Sequence, residues 1–201
     1  MSTRSEASAK TRQRLLDSAL TLFSQRGYSA TGIREILQAS QVTQPTLYHH
    51  FADKASLLQA LIELHYGESH QRLVEILATE PSVAGKLLAF AKSSFEHCCI
   101  DPRVPRLMFQ TYFGPVVPEI DGVLDKLTER RFRLVVEIME VGVHSGELSH
   151  SDPEFLALSF CSMVDQPLNL FSRKTRPKRY LTPELAHAVV ALFLNGASAK
   201  K

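Results

Sequence analysis

Residues 27–54 read GYSATGIREILQASQVTQPTLYHHFADK, and the spacing of apolar and polar side chains in this stretch decides the fold. Gly27 stands where a left-handed helix cap belongs. From about Gly32 to Ser40, the side chains of Ile33, Ile36 and Leu37 share an inner face, with Thr31 placed as the N-cap. After Gln41-Val42, Thr43 is placed to cap a third helix whose first turn holds Pro45, where a missing N–H costs nothing. Asp53 caps a fourth, beginning at Lys54.

The third helix is unusual in what it displays. A short core helix buries its middle, yet this one carries Gln44, Thr46, Tyr48, His49 and His50, with Leu47 and Phe51 as its inward i, i+4 pair. One anchoring stripe and hydrogen-bonding side chains elsewhere are what a DNA major groove accepts. Gln makes bidentate contacts to adenine, and Thr offers a hydroxyl to phosphate or a methyl to thymine. Tyr hydroxyls and His N–H groups suit phosphate oxygens. Lys54 adds charge to a helix start already favourable to phosphate, and Arg34 on the second helix has the reach for a guanine edge or a phosphate. The ordinary alternatives are a core position for Tyr48, which its place after Leu47 and three before Phe51 puts instead at the rim, and a metal pair at His49-His50. Adjacent histidines on a helix diverge, so no metal is expected.

Helical spacing continues outward on both sides. In Thr11–Arg26, Leu15, Ala19, Leu22 and Phe23 recur on one face. The fourth helix buries Leu57, Leu58, Leu61 and Ile62 and runs through Gly67 to about Thr79, before Glu80-Pro81. Five more helices are expected over Val83–Cys99, Pro102–Tyr112, Pro118–Ser145, Asp152–Phe171 and Thr182–Asn195, with Pro167 kinking or ending the eighth. Gly114-Pro-Val-Val-Pro reads as a turn, because its prolines spoil a strand ladder. The expected class is all-α with about nine helices: a helix-turn-helix head over residues 1–53 and a helical body over 54–201.

Composition agrees with a globular chain: 44% of the 201 residues are hydrophobic and 22% charged, excluding collagen-like or wholly disordered classes. No apolar run approaches the roughly 18–20 residues of a membrane span. The first residues, Met1-Ser-Thr-Arg-Ser-Glu-Ala, lack the apolar stretch of a signal peptide, so a cytoplasmic protein without a membrane association is expected. Cys98, Cys99 and Cys161 make neither a disulfide framework nor a C-x-x-C motif and read as reduced, half-buried residues. Net charge is only +2, but it is uneven: seven basic residues oppose four acidic ones through Lys54, and sixteen oppose seventeen beyond. A basic head on a near-neutral body suits polyanion binding.

Residues 11–62, with Thr11-Arg, Leu22-Phe, Arg26-Gly-Tyr, Ile36, Thr46-Leu-Tyr-His-His-Phe and Asp53-Lys-x-x-Leu-Leu, resemble the amino-terminal domain of the TetR/AcrR family of bacterial transcriptional regulators. The resemblance implies a homodimer whose third helices enter the major groove of a palindromic operator. It also implies a small-molecule effector, bound in the body, that shifts the heads and releases the DNA. It places Thr43, Gln44, Thr46, Tyr48, His49 and His50 on the recognition surface, Thr31 and Arg34 on the supporting helix, and Lys54 at the phosphate-contacting helix start. Two positions depart from the pattern. Gln41 stands where the family usually has Gly, and a positive φ there costs ~1 kcal/mol. Leu37 stands where a small Ala is common.

The body supplies Phe95, His97, Phe109, Tyr112, Phe113, Met139, Phe160, Met163 and Asp165 as candidate lining for an apolar effector, with His97, Tyr112 and Asp165 as polar handles. The alternative for each is a place in the bundle core. Family resemblance puts the dimer seam on the last two helices, and Leu185, Val189, Leu192 and Phe193 give the ninth an apolar face. The basic run Arg173–Arg179 reads first as a solvated loop, with a lid for an anionic ligand or a second nucleic-acid contact as alternatives, and Arg130–Arg133 likewise reads as solvated. No cofactor is expected. The leading expectation is therefore a ligand-responsive repressor and not an enzyme. The alternative is a helical-bundle enzyme using His97, Cys98 or Cys99, and Asp165, although no nucleophile–base pair sits at helical spacing. A third option, an RNA-binding or protein-docking helical module, is disfavoured by the lack on the polar helix of the stacking aromatics expected for single strands.

Overall fold

The computed structural model describes residues 3–149, 152–172 and 177–197. They form nine α-helices: α1 (Thr3–Arg26), α2 (Ile33–Ser40), α3 (Gln44–His50), α4 (Lys54–Thr79), α5 (Val83–Ile100), α6 (Arg103–Phe113), α7 (Pro118–Ser145), α8 (Pro153–Ser172) and α9 (Pro183–Ala197). A single 3-10 turn, Pro177–Arg179, precedes α9.

Two apolar cores organise the helices. The first joins Leu15, Leu16, Ala19, Leu20 and Phe23 of α1 to Ile36, Leu47, Phe51 and the first turns of α4, where Leu57, Leu58, Leu61 and Ile62 are buried. Val104 and Leu107 of α6 and Ile120 and Leu124 of α7 close it. The second core holds the remaining length of α4 (Leu73, Leu77) together with α5, α7, α8 and α9 around Phe90, Phe95, Met139 and Phe160. Thus α4 and α7 contribute to both cores, and α6, buried in the first, packs partly buried Phe109 against the second.

Local chemistry sets the boundaries. Gly27 takes φ 85° and ends α1 with its N–H on the Phe23 carbonyl. Asp53 accepts from the Ser56 N–H at 2.7 Å, while Ser56 Oγ accepts from the Asp53 N–H at 3.0 Å, closing a capping box at the start of α4. Ser82 caps α5 through the Gly85 N–H. Gly114 ends α6 so tightly that a Cβ there would collide with the Gln110 carbonyl oxygen.

Several expectations need correction. The first helix begins at Thr3, a full two turns before Thr11. Residues 5–10 are exposed and carry no apolar stripe for periodicity to detect. The N-cap of α2 is Gly32, not Thr31: the Gly32 N–H donates to Glu35 Oε2 at 2.9 Å, and Thr31 turns inward. Pro167 does not end α8, which continues to Ser172. In α9, Val189 and Phe193 are buried in the chain's own core, with Phe193 edge-on to Phe160 at 5.2 Å. Leu192 is the member of the expected face left 68% exposed. Arg173 to Arg176 of the basic run lie outside the described residues, and Lys178 and Arg179 stand in the 3-10 turn.

Candidate functional site

The head presents its third helix on a turn built by Gln41. That residue adopts φ 54°, ψ 40°, the left-handed conformation, and the Val42 N–H then bonds the Leu37 carbonyl at 3.2 Å. The turn lets Val42 bury beside Leu47 while Thr43, Gln44, Tyr48 and His49 face outward and Thr46 and His50 are half-buried. The Thr43 and Thr46 hydroxyls are 2.8 Å apart, which fixes one another's rotamers at the helix start. His49 and His50 lie edge to face at 5.2 Å, and burial, the neighbouring His49 and Arg12 hold His50 below the usual imidazole range. Arg12 lies over the Phe51 ring at 5.2 Å.

Arg34 is exposed on α2 beside this surface. Two other expected contact residues are placed differently. Thr31 is buried, its hydroxyl donating to the Gly27 carbonyl at 2.8 Å. Lys54 Nζ donates to the Tyr28 and Thr31 carbonyls, each at 3.0 Å, and sits 4.2 Å from the centre of the Tyr28 ring. Both residues brace the loop between α1 and α2 against α4. Sequence patterning registers residue type, and it could not show that these polar groups find partners within the fold.

A cavity of about 640 Å³ opens in the body among α4, α5, α6, α7 and α8. Of the nine expected lining residues, His97, Phe109, Tyr112, Phe113 and Asp165 line it. Phe95, Met139 and Phe160 are instead wholly buried in the second core, and Met163 packs against that core. Their helical faces point between helices, where an apolar side chain stabilises the bundle by exclusion from water. The mouth is aromatic: Phe109 stacks on Phe113 at 6.2 Å, and Tyr112 meets Phe113 edge-on at 4.9 Å.

Inside, Arg131 and Asp165 form a bidentate ion pair, Nη2 to Oδ1 at 2.7 Å and Nη1 to Oδ2 at 3.1 Å. The guanidinium also lies 4.8 Å from the Phe90 ring centre. Within the basic run expected to be solvated, Arg133 does face solvent and pairs with Glu129 and Glu154, but Arg131 turns into the cavity. Tyr66 was also missed; burial pushes its phenol up to about 12. His65 and His97 are held below the usual imidazole range, chiefly by burial. Cys98 and Cys161 line the cavity as well, with burial raising their thiols to about 12 and about 11. Such thiols are poor nucleophiles, which disfavours a cysteine enzyme at this site. Among the described residues, no group of three or more His, Cys, Asp or Glu is arranged to hold a metal ion, and no helix is long and apolar enough to cross a membrane.

Comparisons with known proteins agree with this geometry. The family described as bacterial regulatory proteins, tetR family, matches residues 15–61. The transcriptional repressor NemR of Escherichia coli is 33% identical over 152 residues, covering 75% of this chain and 73% of that protein. Among solved structures, the regulator FadR from Bacillus subtilis, in complex with stearoyl-CoA, superposes with a TM-score of 0.79 at 18% identity, over 92% of this chain and 98% of that one. The TetR-family regulator PfmR from Thermus thermophilus gives 0.77 at 25% identity, over 94% and 98%. These relatives are transcriptional regulators rather than enzymes. The chain belongs to the TetR family of bacterial transcriptional regulators, with a helix-turn-helix DNA-binding head and an all-helical body.

Proposed function

We propose that this protein is a cytoplasmic repressor that binds a palindromic operator as a homodimer and releases it when a small, largely apolar molecule enters the body cavity. The observation that carries the reading is the double membership of α6. Its Val104 and Leu107 are buried in the head core, and Val104, Phe109, Tyr112 and Phe113 line the cavity. A molecule that repositions the aromatic end of α6 therefore moves the support of α1 and the recognition helix. The functional division runs between residues 1–53, which meet DNA, and 54–201, which bind effector and partner, with α4 and α6 connecting them.

On this reading Gln44 is the base reader, and Thr43, Thr46, Tyr48, His49, His50 and Arg34 meet bases and phosphates around it. Thr31 and Lys54 act by holding the α1–α2 loop in place. The last two helices form the dimer seam, where Leu170 and Leu192 remain exposed.

Selection from a randomised duplex pool, with a salt titration, tests the reading. An enriched palindrome whose sequence preference changes in Gln44→Ala and whose binding weakens in Tyr48→Ala is the expected result. Arg34→Ala lowers the salt slope by about one phosphate contact. Weak binding blind to sequence in the unaltered protein overturns it.

A further inference from the structure

The cavity carries a charge pattern that defines which molecules it accepts. Arg131 is the one lysine or arginine among the described residues lining it. That cation is already charge-compensated, because each terminal nitrogen donates to one oxygen of Asp165. The pair is partly desolvated, with side-chain exposures of 27% and 33%, and the guanidinium rests over Phe90. The second carboxylate of the lining, Glu129, is matched by Arg133 at 2.8 Å. The charges at this wall are thus closed within the protein before any ligand arrives.

We propose that the cavity selects uncharged amphipathic molecules, with an aromatic or aliphatic body and a hydroxyl-type group that is both donor and acceptor, and that Asp165 is the residue that excludes carboxylates. This rests on the reading of the cavity as an effector site. The hydrogen-bond inventory supports it. A guanidinium has N–H donors beyond those used toward Asp165, and the carboxylate has lone pairs beyond those that accept from Arg131. Side by side, they offer one donor and one acceptor, which a hydroxyl matches. A ligand carboxylate accepts only, so it competes with Asp165 for Arg131 and places two like charges together in a partly desolvated wall. A ligand ammonium donates only and meets the opposite conflict at Arg131. The remaining titratable groups add no free cation: burial keeps the imidazoles of His65 and His97 neutral near pH 7, and Tyr66 remains a neutral phenol.

The apolar portion has a matching place. Phe109, Phe132 and Met108 line the cavity on the α6 and α7 sides, and Tyr112 and Phe113 flank its mouth. Flat, polarisable walls suit a planar body, and a volume of about 640 Å³ holds a fused aromatic with a short chain.

The test uses the full-length protein and three fluorescent probes of nearly equal shape: pyrenebutanol, pyrenebutanoate and pyrenebutylammonium. Titration at pH 7.5 is expected to rank the alcohol at least about tenfold tighter than either ion. Asp165→Asn keeps the side-chain shape and frees Arg131, so pyrenebutanoate gains about tenfold or more while pyrenebutanol changes little. Circular dichroism confirms that the variant is folded, and the ranking in the unaltered protein stands independently of it. Carboxylate binding as tight as alcohol in the unaltered protein overturns the charge selection and leaves the cavity reading intact. A folded Asp165→Asn variant with an unchanged ranking removes Asp165 as the discriminating residue. If none of the three probes binds, the cavity reading itself fails, and the selection falls with it.

Discussion

Arg103 at the start of α6 holds Asp17 of α1 at 2.9 Å, Nη2 to Oδ1, while its Nη1 donates to the Thr21 hydroxyl one turn further along α1 at 2.7 Å. Asp101 orients the same guanidinium, accepting from Nε at 2.9 Å and from Nη2 at 2.7 Å. Further along α6, Gln110 Nε2 donates to the Ser24 carbonyl at 3.2 Å. The helix that lines the cavity is therefore fastened to the first helix of the head at both ends, and Arg103 is the charged fastener.

Replacing Arg103 with Met keeps much of the apolar stem and removes these bonds. The partly solvated ion pair itself contributes little, so stability falls by only about 1 kcal/mol, a few degrees in melting temperature. Operator affinity in the absence of effector stays within a few-fold of the unaltered protein. Release of DNA by a cavity-bound probe such as pyrenebutanol requires a higher probe concentration. An unchanged release midpoint in Arg103→Met excludes this contact as the coupling route.

Gln41 offers a second, purely local test. Its φ of 54° costs roughly 1–2 kcal/mol for a residue with a Cβ. The side chain is exposed, so little packing is lost on removing it. Gln41→Gly relieves that strain but adds about 0.5–1 kcal/mol of unfolded-state freedom. The net expectation is a gain of about 0.5–1 kcal/mol in chemical denaturation, with the turn unchanged. Destabilisation instead means that Gln41 makes contributions beyond its backbone.

Some of this architecture was legible before any coordinates. Caps such as Asp53 and Gly27, and the inward pair Leu47 and Phe51, are local features, and local features survive in sequence. The exposed polar face of α3 was legible because Gln44, Tyr48 and His49 are polar where a core helix must be apolar. What pairs Arg131 with Asp165 is the packing of α7 on α8, thirty-four positions apart, and no periodicity encodes that. Phe95 and Phe109 illustrate the same limit. Both are aromatic residues on amphipathic helices, yet one fills a core and the other lines a cavity, and only the third dimension separates them. Lys54 shows it for charge, since its ammonium is held by backbone carbonyls twenty-six and twenty-three residues away.

The cysteines supply a third prediction. Burial raises Cys98 to about 12 and Cys161 to about 11, and it raises the half-buried Cys99 as well. Thiolate is the reacting species, so at pH 8 native Cys98 and Cys161 resist iodoacetamide, and what labelling occurs falls first on Cys99. Mass spectrometry after timed alkylation, with a urea-unfolded control, reads the order. Rapid native labelling of Cys98 shows that its sulfur is accessible and ionised, contrary to its burial.

Acid should loosen the protein in a window set by its histidines. His50, His65, His70 and His97 all sit below the usual imidazole range, with burial the first cause in each. In the unfolded chain these groups protonate near pH 6.5, while in the native state they remain neutral to lower pH. Between those limits the unfolded state binds more protons, so stability rises with pH there. The stabilisation from neutral burial is therefore complete above about pH 7 and is lost as pH falls through about 6.5 and below. Carboxylates act lower: Asp101, which burial alone would push up, is drawn below the usual range by its bonds from Arg103, and its contribution fades only under strongly acidic conditions. Urea midpoints measured from pH 8 to pH 5 should decline on the acid side, and His97→Gln should flatten the decline because the amide cannot take up the proton. A curve of unaltered slope in that variant assigns the acid sensitivity to the other three histidines and sets His97 apart as already hydrated in the native state.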